Sequence, residues 1–141
     1  MTTQINAPRR TGRSVMAVVV GVAVGIAITI GTDVVLHAIH VYPPWDQPVP
    51  DRLLLLATAY RAIYGIAASY IIAYLAPYKP IAHAMVGGGL GLVASVVGAV
   101  ATWNSPIANQ SHWYAIALAV LALPQAWLGG WLRSRQLNAA S

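Results

Sequence analysis

The stretch SVMAVVVGVAVGIAITIGTDVVLHAIHVY, residues 14–42, decides the fold of this chain. It carries no charged residue from Val15 to Ile30. A helix needs about 20 mostly apolar residues, rising ~1.5 Å each, to cross the ~30 Å hydrocarbon core of a bilayer. The stretch therefore predicts a transmembrane helix. Its last third also holds Asp33, His37 and His40, which are unusual within a span and need an explanation.

The composition of the whole chain indicates the same environment. Its 141 residues suit one domain, and they are 58% hydrophobic and 8% charged, with a mean hydropathy of +0.65. That is more apolar surface than a soluble domain of this size can bury, so the lipid bilayer is the predicted partner. The absence of cysteine excludes disulfide frameworks, thiolate metal sites and cysteine nucleophiles. The net charge of +5 does not indicate nucleic acid, because the basic residues flank apolar segments instead of forming one patch.

Four apolar stretches, separated by short proline-containing links, are long enough to span. They predict helices over residues 14–42, 53–76, 81–103 and 112–132. Short links favour antiparallel neighbours, so the predicted fold is an all-α, integral membrane, antiparallel four-helix bundle of up-down-up-down topology. Residues 14–135 form its transmembrane domain. Residues 1–13 are predicted to be a basic, disordered cytoplasmic tail and residues 136–141 a short cytoplasmic tail.

The basic residues predict the orientation. Most of them precede the first span, lie in the second link or follow the last span, and they are Arg9, Arg10, Arg13, Lys79, Arg133 and Arg135. The other two links hold only Arg52. By the positive-inside rule both termini face the cytoplasm, and we expect the inner membrane of a bacterium. The paired arginines also resemble an export signal, but the apolar run is too long and lacks a cleavage site.

Glycines at four-residue spacing predict which spans approach closely. The first span carries Gly21 and Gly25, and the third carries Gly87, Gly91 and Gly98. Small residues at this spacing let helix backbones approach in lipid. We therefore expect the first and third spans to pack together, either within one chain or between copies in a homo-oligomer or a larger membrane complex.

The charged residues of the spans predict an ion pair. At ~100° per residue, Asp33, His37 and His40 lie within about 60° on one helix face. Counting residues from both ends of the spans places Asp33 at the height of Arg61 in the second span. Unpaired charges are costly in a bilayer, so the two residues should pair. Tyr60 and Tyr64 are expected to complete the hydrogen bonds of Arg61.

The same count predicts a polar pocket open to the outer side. Its lining comes from all four spans and one link, and consists of Asp33, His37, His40, Tyr60, Arg61, Tyr64, Trp103, Asn104, His112 and Trp113. A simpler interpretation has His40, Asn104, His112 and the tryptophans anchor helices among the lipid headgroups. His37 and Asp33 would then form a structural pair tied to Arg61.

The same residues include donor types that could bind a metal ion or haem. Asp33, His37 and His40, joined by His112, have the donor types that zinc, nickel or copper accept, but Arg61 would repel the cation. Haem held by two histidines is disfavoured because His83 lies at the opposite end of the spans from the other three. No metal, cofactor or nucleic-acid partner is therefore predicted.

Three function classes remain open in the sequence. A carboxylate coupled to a histidine suits a small proton-linked or ion-linked transporter, or a ligand-binding protein, using Asp33, His37 and Arg61. Catalysis is disfavoured because no nucleophilic serine, nucleotide loop or cofactor fingerprint accompanies these residues. The favoured hypothesis is a non-catalytic accessory or structural membrane component that packs through glycine-rich helices.

Four segments carry a family resemblance: TDVVLHAIHVYPPW, LLATAYRAIYG, GAVATWN and HWYAIALAVLALPQAWLGG. Through them the chain resembles small hypothetical four-span proteins of bacterial inner membranes over residues 14–135. The resemblance implies four spans and a bacterial source. It implies no activity and transfers no functional residue.

Overall fold

The computed structural model describes residues 10–107 and 111–141, and its regular structure is entirely helical. The helices in this part of the chain are α1 (Thr11–Ala38), α2 (Asp51–Leu75), α3 (Pro80–Thr102) and α4 (His112–Ala139). They contain 28, 25, 23 and 28 residues, and each is long and apolar enough to cross a membrane. The predicted all-α class with four candidate spans is confirmed.

Helix α1 ends at Ala38, four residues before the predicted end at 42. His40 has a φ of 60°, in the left-handed region. The amide of Val41 donates to the Leu36 carbonyl at 2.9 Å, and the amide of His40 donates to His37 at 3.1 Å. These two bonds satisfy carbonyls that a helix end leaves free. The prediction that His40 shares a helical face with Asp33 is corrected, because His40 terminates the helix.

The other end of α1 also differs from the prediction. The helix begins at Thr11, inside the segment expected to be a disordered tail. No proline interrupts residues 11–14, so the helix extends beyond the apolar stretch. Residues 1–9 of the predicted tail lie outside the described residues.

Helix α4 continues through Ala139, seven residues beyond the predicted end at 132. Its extra turns pack on the end of α2. The Tyr70 hydroxyl donates to Gln136 Oε1 at 2.7 Å, and the Arg133 guanidinium lies 4.4 Å from the centre of the Tyr74 ring. These tertiary contacts support a polar helical segment that hydropathy assigned to a tail.

The helices form a ring in the order α1, α2, α4, α3. The contact of α3 with α4 is the most extensive, followed by α2 with α4 and α1 with α2. Helix α1 meets α3 at few points and, within the described residues, makes no close backbone approach to α4. The α1–α3 seam is therefore the weakest of the ring.

Small side chains form most of the buried core. Among the residues that the structure describes, six of the eight buried apolar residues are alanines, and Ile72 is the one large side chain that is fully buried. Helices in lipid gain little from hydrophobic contact with each other, so close backbone approach through small residues supplies the packing. The large aliphatic side chains instead cover the outer surface, as in Val93, Val97 and Val100 of α3.

Candidate functional site

An ion pair joins α1 to α2. Arg61 Nη2 lies 2.5 Å from Asp33 Oδ2, the contact that equal height in neighbouring spans predicted. The Asp33 side chain is 17% exposed and that of Arg61 is 30% exposed. An unpaired charge at this depth would be costly, so each residue offsets the cost of placing the other in a span.

Tyrosine hydroxyls extend this pair into a network across the same seam. Tyr60 donates to Asp33 Oδ1, and its oxygen lies 3.0 Å from the Tyr42 hydroxyl. The Tyr64 hydroxyl lies 2.9 Å from Thr32 Oγ1. Tyr64 therefore bonds to Thr32 of α1 and not to Arg61, which corrects its expected role, whereas Tyr60 bonds to the carboxylate that Arg61 contacts.

Tyr42, in the link after α1, covers this network on the side where α2 begins. It is buried, and its hydroxyl donates to the Leu53 carbonyl at 3.4 Å. Burial raises the pKa of the Tyr42 hydroxyl above its usual value, so the group stays protonated and neutral at physiological pH. Its position ties the link to α2.

The guanidinium of Arg61 keeps hydrogen-bonding capacity beyond the ion pair. The Arg61 Cζ atom lies 5.8 Å from the centre of the Tyr114 ring, so α4 also contributes to the site. Nε is buried without an acceptor, and among the described residues only Nη2 donates a hydrogen bond. A guanidinium carries five N–H donors; Asp33 engages one of them and the protein encloses the Nε donor, which leaves those of Nη1 and the second one of Nη2.

The histidines are not assembled into a ligand set. His37 Nδ1 lies 2.7 Å from the Asp33 backbone carbonyl, and its ring stacks on Trp45 with centroids 3.5 Å apart. His40 is exposed at the end of α1. The described residues contain no group of three His, Cys, Asp or Glu side chains placed to hold a metal. The weak metal set of Asp33, His37, His40 and His112 is therefore not formed.

The remaining predicted pocket residues lie just after the end of α3 and at the start of α4. His112 stacks on Trp103, with centroids 3.9 Å apart and Nε2 3.1 Å from the Trp103 carbonyl. Trp113 donates to Asp51 at 3.1 Å, while Asn104 is exposed. The predicted lining of the outer pocket is therefore divided between the network around Asp33 and Arg61 and separate contacts at the helix ends, which corrects the prediction that it surrounds one space.

A different cavity lies between the helices. This cleft has a volume of about 360 Å³ and is lined by residues of all four helices, with Arg61 and Tyr64 its only members from the predicted pocket. Along α2 it extends from Arg61 to Ile72. The lining also includes residues that the pocket prediction lacked, among them Gly25, Ala68, Gly88, Gly91, Ala122 and Gln125. Of these, Gly25 and Gly91 were predicted to pack closely, but a Cβ added at Gly91 would meet nothing within 4 Å.

The glycine contacts show why the cleft ends at Ile72. A Cβ added at Gly21 or Gly87 would collide with Ile72, and one added at Gly25 would lie 2.9 Å from Ala68. Gly21, Gly25 and Gly87 thus pack on α2. The predicted contact between the first and third spans is present but slight, and these glycines do not form it. A Cβ added at Gly91 or Gly98 would meet nothing within 4 Å, which corrects their assignment to a contact within the chain.

The closest contacts between helix backbones, at Gly129 and Gly130 of α4, were not predicted from the sequence. A Cβ at Gly129 would lie 2.6 Å from the Ile66 carbonyl oxygen and 2.7 Å from the Tyr70 amide nitrogen. A Cβ at Gly130 would lie 2.8 Å from Ile81 Cα. The adjacent glycines of α4 therefore press on two different helices. Their pairing in WLGGW was the available signal, since two neighbours on a helix face different directions.

Comparisons with known proteins add no assignment. No protein family, curated protein or solved structure matches this chain. Function must therefore be inferred from the residues and their geometry.

Proposed function

We propose that this chain is a non-catalytic component of a bacterial cytoplasmic membrane, acting by association with other molecules within the bilayer. The observation that carries the proposal is that two ionisable side chains of α1 are engaged by other groups of the same chain. Asp33 is engaged by Arg61 and Tyr60, and His37 by its own helix and Trp45. These groups fasten helices together, which is what a structural role requires of them.

The proposal includes an antiparallel arrangement with both termini in the cytoplasm. Two contact levels support it: Asp33 near the end of α1 meets Arg61 in the first half of α2, whereas Gly21 packs on Ile72 near the end of α2. The basic residues at both chain ends and at Lys79 support the orientation.

Single-cysteine labelling tests the orientation, because the chain contains no native cysteine. Asn104→Cys and Ser141→Cys variants are exposed to a membrane-impermeant maleimide. We expect Asn104→Cys to react in intact bacterial cells and Ser141→Cys to react only after permeabilisation. The opposite pattern would overturn the proposed topology.

Purification in mild detergent tests the proposed association. The native chain and the Asp33→Asn/Arg61→Gln double variant should both elute with the same larger assembly, since the double change removes the charges without leaving either one unpaired. A native chain that elutes as an isolated monomer would contradict the proposal.

A small ion-linked transporter or ligand-binding protein is the second candidate. It is favoured by one observation, the partial exposure of Arg61 beside the cleft. In that case the double variant loses transport or ligand binding although it is folded. Retention of assembly with no change in transport of protons by proteoliposomes would reject this alternative.

A further inference from the structure

The cleft between α1 and α3 opens toward lipid and not toward water. Its rim carries large aliphatic side chains, with Ile26 54%, Ile30 56% and Leu90 52% exposed. Exposed aliphatic surface on a spanning helix faces hydrocarbon. The weak contact between α1 and α3 leaves the entrance along the length of this rim.

The cleft is about one leaflet long. Arg61 and Ile72 mark its limits on α2, and eleven residues at ~1.5 Å each give ~16 Å. Half of the ~30 Å hydrocarbon core is about 15 Å. At the Ile72 end, Gly21 and Gly87 close on the buried Ile72 side chain. A chain that enters from one leaflet would therefore reach the floor of the cleft and stop.

The Arg61 end carries the charged group of a lining that is otherwise mostly apolar, with the neutral polar residues Thr29, Tyr64, Ser69, Ser95 and Gln125. Asp33 neutralises the guanidinium but occupies only Nη2. An N–H donor without an acceptor is costly in an apolar environment, so a molecule that brings acceptor oxygens to this end is favoured. A second transmembrane helix would need a polar side chain at this height to supply them, whereas every phospholipid carries ester and phosphate oxygens.

These observations select one occupant. We propose that the cleft binds one acyl chain of a bilayer phospholipid, with the ester or phosphate oxygens of that lipid accepting hydrogen bonds from Arg61. The volume of about 360 Å³ lies within the ~300–1,000 Å³ range of small-molecule sites. The bound lipid would fill the α1–α3 seam and complete the ring of helices.

Photolabelling in vesicles tests the position of the chain. The full-length protein is reconstituted in phosphatidylethanolamine containing a diazirine-bearing analogue, and adducts are mapped by mass spectrometry. Ala68 lines the cleft, whereas Val97 is 61% exposed on α3 and is absent from the cleft lining. We expect adducts at both residues, and no adducts at Ala68 would overturn the proposal.

Two glycines of α3 provide a matched pair of variants. An added Cβ meets nothing within 4 Å at Gly91 or at Gly89, but only Gly91 lines the cleft. Gly91→Leu should reduce the Ala68-to-Val97 adduct ratio about tenfold, as a binding free energy weakened by ~1.4 kcal/mol would. Gly89→Leu should leave the ratio unchanged. An equal ratio in both variants would overturn the proposal.

A second variant that fills the cleft keeps the test decisive if Gly91→Leu fails to fold. Ser95→Leu fills the cleft near its Arg61 end and should give the same loss in the adduct ratio, with helicity checked by circular dichroism.

Native mass spectrometry tests the headgroup contact: the native chain should retain one phospholipid after detergent exchange, and Asp33→Asn/Arg61→Gln should lose it. Equal retention would overturn the role of Arg61. These readouts do not depend on co-purification, so this proposal and the proposed association fail separately.

Discussion

The Ile72 end and the Arg61 end of the cleft hold their helices together in different ways. At the Ile72 end, glycines of α1 and α3 contact one isoleucine of α2, and no polar bond is needed. At the Arg61 end, an ion pair and tyrosine hydroxyls bridge α1 and α2 while α3 stays apart. Small residues give close contact only where a partner meets them, and at the Arg61 end polar groups join α1 to α2 while the α1–α3 seam stays open.

The largest expected loss of stability tests the role of backbone contact. Gly129→Leu places a side chain against the Ile66 carbonyl and the Tyr70 amide, which cannot rotate away. Overpacking of this kind costs about 3 kcal/mol. Unfolding in mixed detergent and SDS micelles should show that loss, whereas the control Gly89→Leu should be near native because its neighbourhood is open. Equal stabilities would contradict close packing of α4 on α2.

Breaking the ion pair should give the next largest effect. Arg61→Gln leaves Asp33 charged in the span and should destabilise by about 2–3 kcal/mol, less than full burial would give because both side chains are partly exposed. The Asp33→Asn/Arg61→Gln double variant should recover most of that loss. The same micelle unfolding measures both, and a double variant as unstable as the single would refute pairwise compensation.

Tyr60→Phe tests the hydrogen bonds around the pair. It removes a hydroxyl that donates to Asp33 and contacts Tyr42, so a loss of about 1–2 kcal/mol is expected. Tyr64→Phe is the matched control on the same helix, since it loses only the contact with Thr32. If Tyr64→Phe lost as much unfolding free energy as Tyr60→Phe, the Tyr60 hydrogen bonds would not be the more important ones.

His40→Gly should increase stability. Its positive φ is costly for a side chain and free for glycine, so a gain of about 0.5–1 kcal/mol follows if His40 only terminates α1. His40→Val, at the same exposed site, should lose a similar amount. A loss with glycine, measured by thermal unfolding in detergent, would indicate a side-chain role that the geometry lacks.

The smallest effect is expected at Gly98. Gly98→Ala should change the free energy of unfolding by less than about 0.5 kcal/mol, because an added Cβ meets nothing and the residue is exposed. Gly21→Ala, whose Cβ would collide with Ile72, provides the contrast. A clear loss at Gly98 in the intact membrane but not in monomer-forming detergent would reveal a contact between copies.

The sequence by itself determined the class of protein and the height of its charges. Apolar length requires spanning helices wherever the backbone must satisfy its own hydrogen bonds in lipid. The contact of Asp33 with Arg61 also followed from counting residues, because helical rise is uniform and both charges needed a partner.

Only the tertiary structure decided which small residues touch and where space remains. Spacing identifies a face of a helix but not the partner opposite it, so Gly21 and Gly87 were matched to each other although both contact Ile72. Local backbone bonds likewise placed His40 at the end of α1, outside the face that a regular helix assigned to it. The cleft depends on how far apart α1 and α3 lie, a distance set by the packing of all four helices together.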